Sequence, residues 1–231
     1  MNISSETLSI GDIKVIGRLI DASNATLMGE IVSPNSSIKV IYKPIAGEKP
    51  LWDFQDGNLA FREYCAFLVS DLAGFNIVPA TILRDGPFGL GMVQQWIEID
   101  RTVDVVEFGQ SEDRQLRKLA LFDSIINNTD RKYGHLLIDS DKKLFGCDHG
   151  VSFHSQNKLR TVIWQFAGEK FTTEEMALLE RTREVDFNGV FENYLTDIEI
   201  SAFSDRINTL IASGTFPLPS DEWPAIPWPP V

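Results

Sequence analysis

The sequence is poor in cysteine and histidine, with two and three respectively in 231 residues. Two cysteines exclude a disulfide-built scaffold, and Cys65 and Cys147 sit in apolar runs that suit buried, reduced thiols. No run reaches the ~18–20 apolar residues that span a bilayer. The opening MNISSETLSIGD has neither a basic start nor a long apolar stretch, so it does not read as a secretory leader. Positive charge is scarce too: 21 Lys and Arg stand against 33 Asp and Glu, a net charge of −12. DNA, RNA and anionic lipid surfaces repel such a chain unless a local basic patch forms. The densest basic clusters, Arg114/Arg117/Lys118 and Arg131/Lys132, are short and mixed with acids. These absences predict a soluble, cytoplasmic monomer with no nucleic-acid partner and no stable membrane association.

What is present is core-forming: 43% of residues are hydrophobic and 10% aromatic. Residues 12–20, 25–32 and 37–43 are rich in β-branched side chains and read as strands, the first two joined by the turn Asp21-Ala22-Ser23-Asn24. Residues 58–73 read as an amphipathic helix with Asn58 as N-cap, Gly74 as the stop, and Leu59, Tyr64, Phe67, Leu68 and Leu72 on one face. Two more strands follow at 78–85 and 88–97, split by Gly86-Pro87. Beyond residue 100 the pattern turns helical, first at 111–128 with a Ser111 cap, then at Thr172 with its capping box, then at 197–212. Between the first two of these helices, HLLID and KLFGCD read as a hairpin turning at Ser140-Asp141. The expectation is an α+β chain in two lobes, an antiparallel-sheet lobe with one helix at 1–97 and a mostly helical lobe at 98–231. The tail FPLPSDEWPAIPWPPV is rich in Pro and Trp and reads as an extended segment on the large lobe.

Phosphoryl transfer needs groups to hold nucleotide phosphates, to seat a bridging metal and to orient the acceptor. Lys43 ends a strand, where its ammonium can reach phosphates if an acid holds it, and Glu63 in the first helix is the partner. Asp130 follows a long helix in Asn127-Asn128-Thr129-Asp130-Arg131-Lys132, on a loop where a carboxylate can take or orient a hydroxyl proton. Asp148 ends the second hairpin strand in Cys147-Asp148-His149-Gly150, where it can turn onto a magnesium ion. Each piece also has an ordinary reading as a surface charge or a turn former. Two acid turns flanking one hairpin are harder to treat so.

The order Lys43, Glu63, Asp130, Asp148 resembles the protein-kinase-like superfamily, in particular its phosphoinositide 3-/4-kinase and HipA-type branches. The stretches VIYKPIAGEKPLWDF, VPATILRDGPFGLGMVQQWI, ALFDSIINNTDRKYGHLL and DHGVSFH also resemble a small actinobacterial family labelled phosphatidylinositol-kinase-like. The resemblance implies ATP with Mg or Mn, Lys43 as phosphate ligand, Glu63 as its ion-pair partner, Asp130 as catalytic residue and Asp148 as metal ligand. It further implies that Ser23 and Asn24 cover the phosphates and that Gln94, Gln95 and Trp96 form an adenine-gripping hinge. Two departures stand out. His135 occupies the place of a metal-binding Asn, and imidazole suits manganese or zinc better than magnesium. The first turn lacks a Gly-x-Gly. The implied acceptor is a protein hydroxyl or a small alcohol, contacted by the segment after Asp148 with Lys158 and Arg160. The competing readings are a pseudokinase that only binds nucleotide, an AMP transferase, a lipid kinase, and a zinc site built from His135, Cys147, His149 and His154.

Overall fold

A computed structural model describes residues 5–19, 24–33 and 36–231, with the backbone alone for Ser33 and Ser36. Strands β1 (Asp12–Arg18), β2 (Leu27–Ser33), β3 (Ser36–Pro44), β4 (Thr81–Gly86) and β5 (Gly89–Gln95) form one antiparallel sheet in the order β1-β2-β3-β5-β4. Along β3 the two-residue period buries Val40 and Tyr42 on one face and turns Ile41 and Lys43 to the other. β5 reaches β3 closely because residue 91 is glycine; a Cβ there would stand 2.4 Å from the Lys43 carbonyl oxygen. A short helix α1 (Ser5–Ser9), absent from the sequence reading, inserts Leu8 under the sheet.

Helix α2 (Leu59–Leu72) links β3 to β4. Asn58 caps it by accepting from Phe61 N, and the Glu48 carboxylate accepts from Leu59 N and Ala60 N, each at 2.8 Å. The buried face differs from the expected one. Ala60, Cys65, Ala66 and Val69 face inward, whereas Leu72 is exposed and Leu59, Tyr64, Phe67 and Leu68 are half-buried. Small side chains let the helix sit close to the large apolar cluster, to which Cys65, Ala66 and Val69 belong together with the helical half of the chain. Arg62, 2% exposed, fixes that docking: it donates to Ser152 O at 2.9 Å and pairs with Glu199 at 2.5 Å.

The second half begins with helices α3 (Val105–Gly109) and α4 (Arg114–Ile126). Asp113 rather than Ser111 caps α4, its carboxylate accepting from Gln115 N. The hairpin β6 (Leu136–Ile138) and β7 (Leu144–Gly146) follows, then α5 (Thr173–Glu184), α6 (Phe187–Phe191) and α7 (Asp197–Ser213). Thr172 and Thr196 both close capping boxes. Among the described residues no helix is long and apolar enough to cross a membrane.

Candidate active site

The loop after α4 is built by side chains that hold its backbone. Asn127 takes the left-handed conformation at φ 53° and its amide donates to His154 O and Gln156 O while accepting from Lys158 N. The amide oxygen of Asn128 accepts from Asp130 N at 3.0 Å, and its nitrogen donates to Asp123 at 3.0 Å. Arg131 is fully buried: it grips both oxygens of the equally buried Asp123 at 2.8 Å and donates to the Cys147 carbonyl at 2.8 Å. It also meets His149 Nε2 at 2.7 Å. Guanidinium only donates, so Nε2 is the acceptor and the His149 proton sits on Nδ1. Burial, with Arg131 beside it, holds the His149 pKa well below its ordinary value, so the ring stays neutral. Gly146 leaves room for this pair; a Cβ there would meet Arg131 at 3.2 Å and His149 at 3.3 Å.

That buried network lies beneath a cleft of about 610 Å³, lined by Asn24, Lys43, Glu63, Asp130, His135 and Asp148 among others. Lys43 Nζ lies 2.6 Å from Glu63 and 2.7 Å from Asp148. The second Glu63 oxygen accepts from His149 N at 2.9 Å, which ties α2 to the turn carrying Asp148. Asp148 adopts φ 60°, which breaks strand alternation and swings its carboxylate into the cleft, where it is half exposed. Burial pulls the Lys43 pKa down, but the Asp148 and Glu63 carboxylates outweigh it and the net shift is upward. The Lys43 charge in turn holds the Asp148 carboxyl well below the usual range. Burial raises Asp130, and Lys132 at 3.3 Å opposes the rise. Burial also lowers His135 to about 4, leaving a neutral ring 3.3 Å from Asp148. One carboxylate with an imidazole beside it would suit a divalent ion that draws its remaining ligands from phosphates and water.

The other site expectations are placed differently. Ser23 lies outside the described residues. Asn24 meets the loop after β3, its side chain accepting from Lys49 N at 2.9 Å. Gln94 is buried and donates to Thr81 at 2.9 Å. The main-chain N–H groups of Gln95 and Trp96 donate to Ala80 O and Lys39 O within the sheet, and none of these three residues lines the cleft. The four groups expected of a zinc site do not converge. Nε2 of His149 faces a guanidinium, His154 faces the Lys158 ammonium at 3.2 Å, and burial raises the Cys147 thiol to about 12. Among the described residues no three His, Cys, Asp or Glu side chains gather as a metal cluster.

Arg62 and Trp223 escaped the sequence reading because their partners, Glu199 and Lys158, lie far along the chain, and the Asp123–Arg131 pair escaped it because its burial is set by tertiary packing. Only the double Asn before Asp130 carried a local signal, as a helix stop.

No known family model matches the chain. It is 36% identical to Protein Rv2133c of Mycobacterium tuberculosis over 96% of this chain and 93% of that protein. The chain belongs to the Rv2133c family. Two solved structures share its architecture at 13% identity. The Helicobacter pylori proinflammatory kinase CtkA superposes with a TM-score of 0.50 over 94% of this chain and 96% of its own. The Golgi casein kinase superposes with a TM-score of 0.53 over 90% of this chain and 74% of its own. The chain therefore has a protein-kinase-like fold: an antiparallel sheet and helices arranged as in these two proteins.

Proposed function

We propose that this protein is an ATP- and divalent-metal-dependent phosphotransferase acting on a protein hydroxyl or a small alcohol. The observation that carries the reading is the convergence of Lys43, Glu63, Asp148 and Asp130 on one cleft, from β3, α2, the turn after β7 and the loop after α4. The two solved structures compared above are named as kinases, which agrees with it. A bound nucleotide–metal complex supplies the phosphoryl group. Lys43, aimed by Glu63, would hold the phosphate oxygens, and Asp148 with His135 beside it would hold the metal, which would supply charge stabilisation to the transferring group. Asp130, its pKa raised by burial, orients the acceptor hydroxyl and takes its proton. The net charge of −12 opposes a lipid headgroup on an anionic membrane, so the phosphatidylinositol-kinase label is not the favoured reading.

Thermal unfolding with ATP and Mg or Mn tests the site. A nucleotide at about 100 times its Kd adds about 2.7 kcal/mol, which moves the midpoint by several degrees. Lys43→Ala and Asp148→Ala are expected to abolish that metal-dependent shift. Asp130→Asn is expected to keep the shift and lose transfer of labelled phosphate. An unchanged shift in both of the first two variants would remove the cleft from consideration.

A further inference from the structure

The large apolar cluster takes its last member from the chain at Phe216. Beyond it, along residues 217–231, only Pro227 is buried. Leu218, Ile226 and Trp228 are exposed. This tail is nevertheless anchored, and anchored beside the reactive groups. Ala225 O accepts from Thr161 N at 3.0 Å and from the Trp164 indole at 2.8 Å. Pro230 O accepts from Tyr133 N at 2.9 Å, three residues past Asp130, and Ile226 O accepts from Arg160 at 3.5 Å. Trp223 lies over the Lys158 ammonium, 4.4 Å from its ring centroid, and with Pro224 it walls the cleft that holds Asp130 and Asp148.

Three features of this contact belong to substrate recognition more than to core building. The surface under the tail is zipped to the catalytic loop itself, since Arg131 N donates to Arg160 O and Val162 N to Arg131 O. It holds the tail through main-chain carbonyls, a mode that accepts many side chains. The sequence from 223 to 231, WPAIPWPPV, contains no Ser, Thr or Tyr, so the segment at the cleft has nothing to phosphorylate.

We propose that the surface formed by Tyr133 and residues 158–164 is a groove for an extended polypeptide acceptor, and that the tail fills it in cis as a hydroxyl-free stand-in. The proposal rests on the phosphotransfer reading above and narrows its acceptor from any hydroxyl to one on an extended chain. An incoming segment displaces the tail and sets a Ser or Thr hydroxyl beside Asp130. Asp130 takes the proton as the hydroxyl oxygen bonds to the terminal phosphorus of ATP and the bond from that phosphorus to the ADP oxygen breaks.

The test uses the full chain and a labelled synthetic peptide of residues 217–231, its binding followed by fluorescence anisotropy without nucleotide. A docked tail lowers apparent peptide affinity by the fraction of time the groove is free, so Trp223→Ala is expected to bind the peptide at least about tenfold more tightly than wild type. A peptide carrying Pro224→Ser is expected to receive phosphate on the new hydroxyl, and faster from the Trp223→Ala chain. Equal affinity in the two chains, or no saturable binding, overturns the groove whatever ATP does to the melting temperature. Tight binding with no phosphate on that peptide, while ATP still shifts the melting temperature, overturns its role as the acceptor seat. Loss of the ATP shift itself instead counts against the phosphotransfer reading.

Discussion

Two charged clusters lie within a few residues of each other here, and they are made of the same side-chain types to opposite ends. Beneath the cleft, Asp123 and Arg131 are both fully buried, and their hydrogen bonds are completed by Asn128, the Cys147 carbonyl and His149. At the cleft surface, Lys43 and Asp148 pair at 2.7 Å, yet Asp148 is half exposed and its other neighbour is only a neutral imidazole. A buried, saturated pair cannot exchange partners without an unpaired charge in a poorly polarisable interior. A pair at a water-lined surface can, at small cost. The first cluster therefore fixes the loop that carries Asp130, and the second is able to exchange partners.

The largest expected effect comes from breaking the buried side of this contrast. Asp123→Ala strands the Arg131 charge and is expected to lower stability by about 3–5 kcal/mol, against less than about 1 kcal/mol for Asp148→Ala. Urea unfolding of the two metal-free variants measures the difference, and equal losses would mean that the clusters are not distinct in kind.

Acid sharpens the same contrast. The folded-state pKa of His135 is depressed to about 4, so between its ordinary value and that point the unfolded chain binds the extra proton. Stability from this group is therefore complete above about pH 6.5 and is lost as pH falls through about 4, with a ceiling near 3 kcal/mol. His149, also held low by burial, adds loss of the same sign. Asp148 is depressed as well, but as a carboxyl its contribution disappears only below the ordinary carboxylate range. Melting midpoints of the metal-free protein from pH 7.5 to 5 are expected to fall, and to fall less in His135→Asn. An identical slope in that variant would take His135 out of the account.

The smallest effect separates the two histidines at neutral pH. His149→Phe keeps an aromatic ring in the buried site, but it leaves an Arg131 N–H without an acceptor. A loss of about 1–3 kcal/mol is expected, measurable as a lower midpoint. His135→Asn should change neutral-pH stability by less than about 1 kcal/mol and shift metal preference from manganese toward magnesium.

These clusters also divide what could be read from the chain. Lys43, Glu63, Asp130 and Asp148 were legible because each stands at a local landmark: a strand end, a helix interior, a helix stop and an acid before glycine. The strand and helix order was legible for the same reason, through periods of two and of about 3.6 residues. Short α1, α3 and α6 were not, because five residues hold too little periodicity to register. The buried face of α2 was misjudged toward its large side chains, since close approach to the core selected Ala, Cys and Val instead.

By itself, then, the sequence determined the order of the strands and long helices and named four charged residues that line one cleft, since both are written in local spacing and residue type. Tertiary structure alone decided which charges are saturated and which remain available. It joined Arg62 to Glu199 and Arg131 to His149, and it laid Trp223 over Lys158 beside Asp130. Those pairings bridge separations from 18 to 137 residues, and burial, which sets the cost of each charge, exists only once the chain has closed over them.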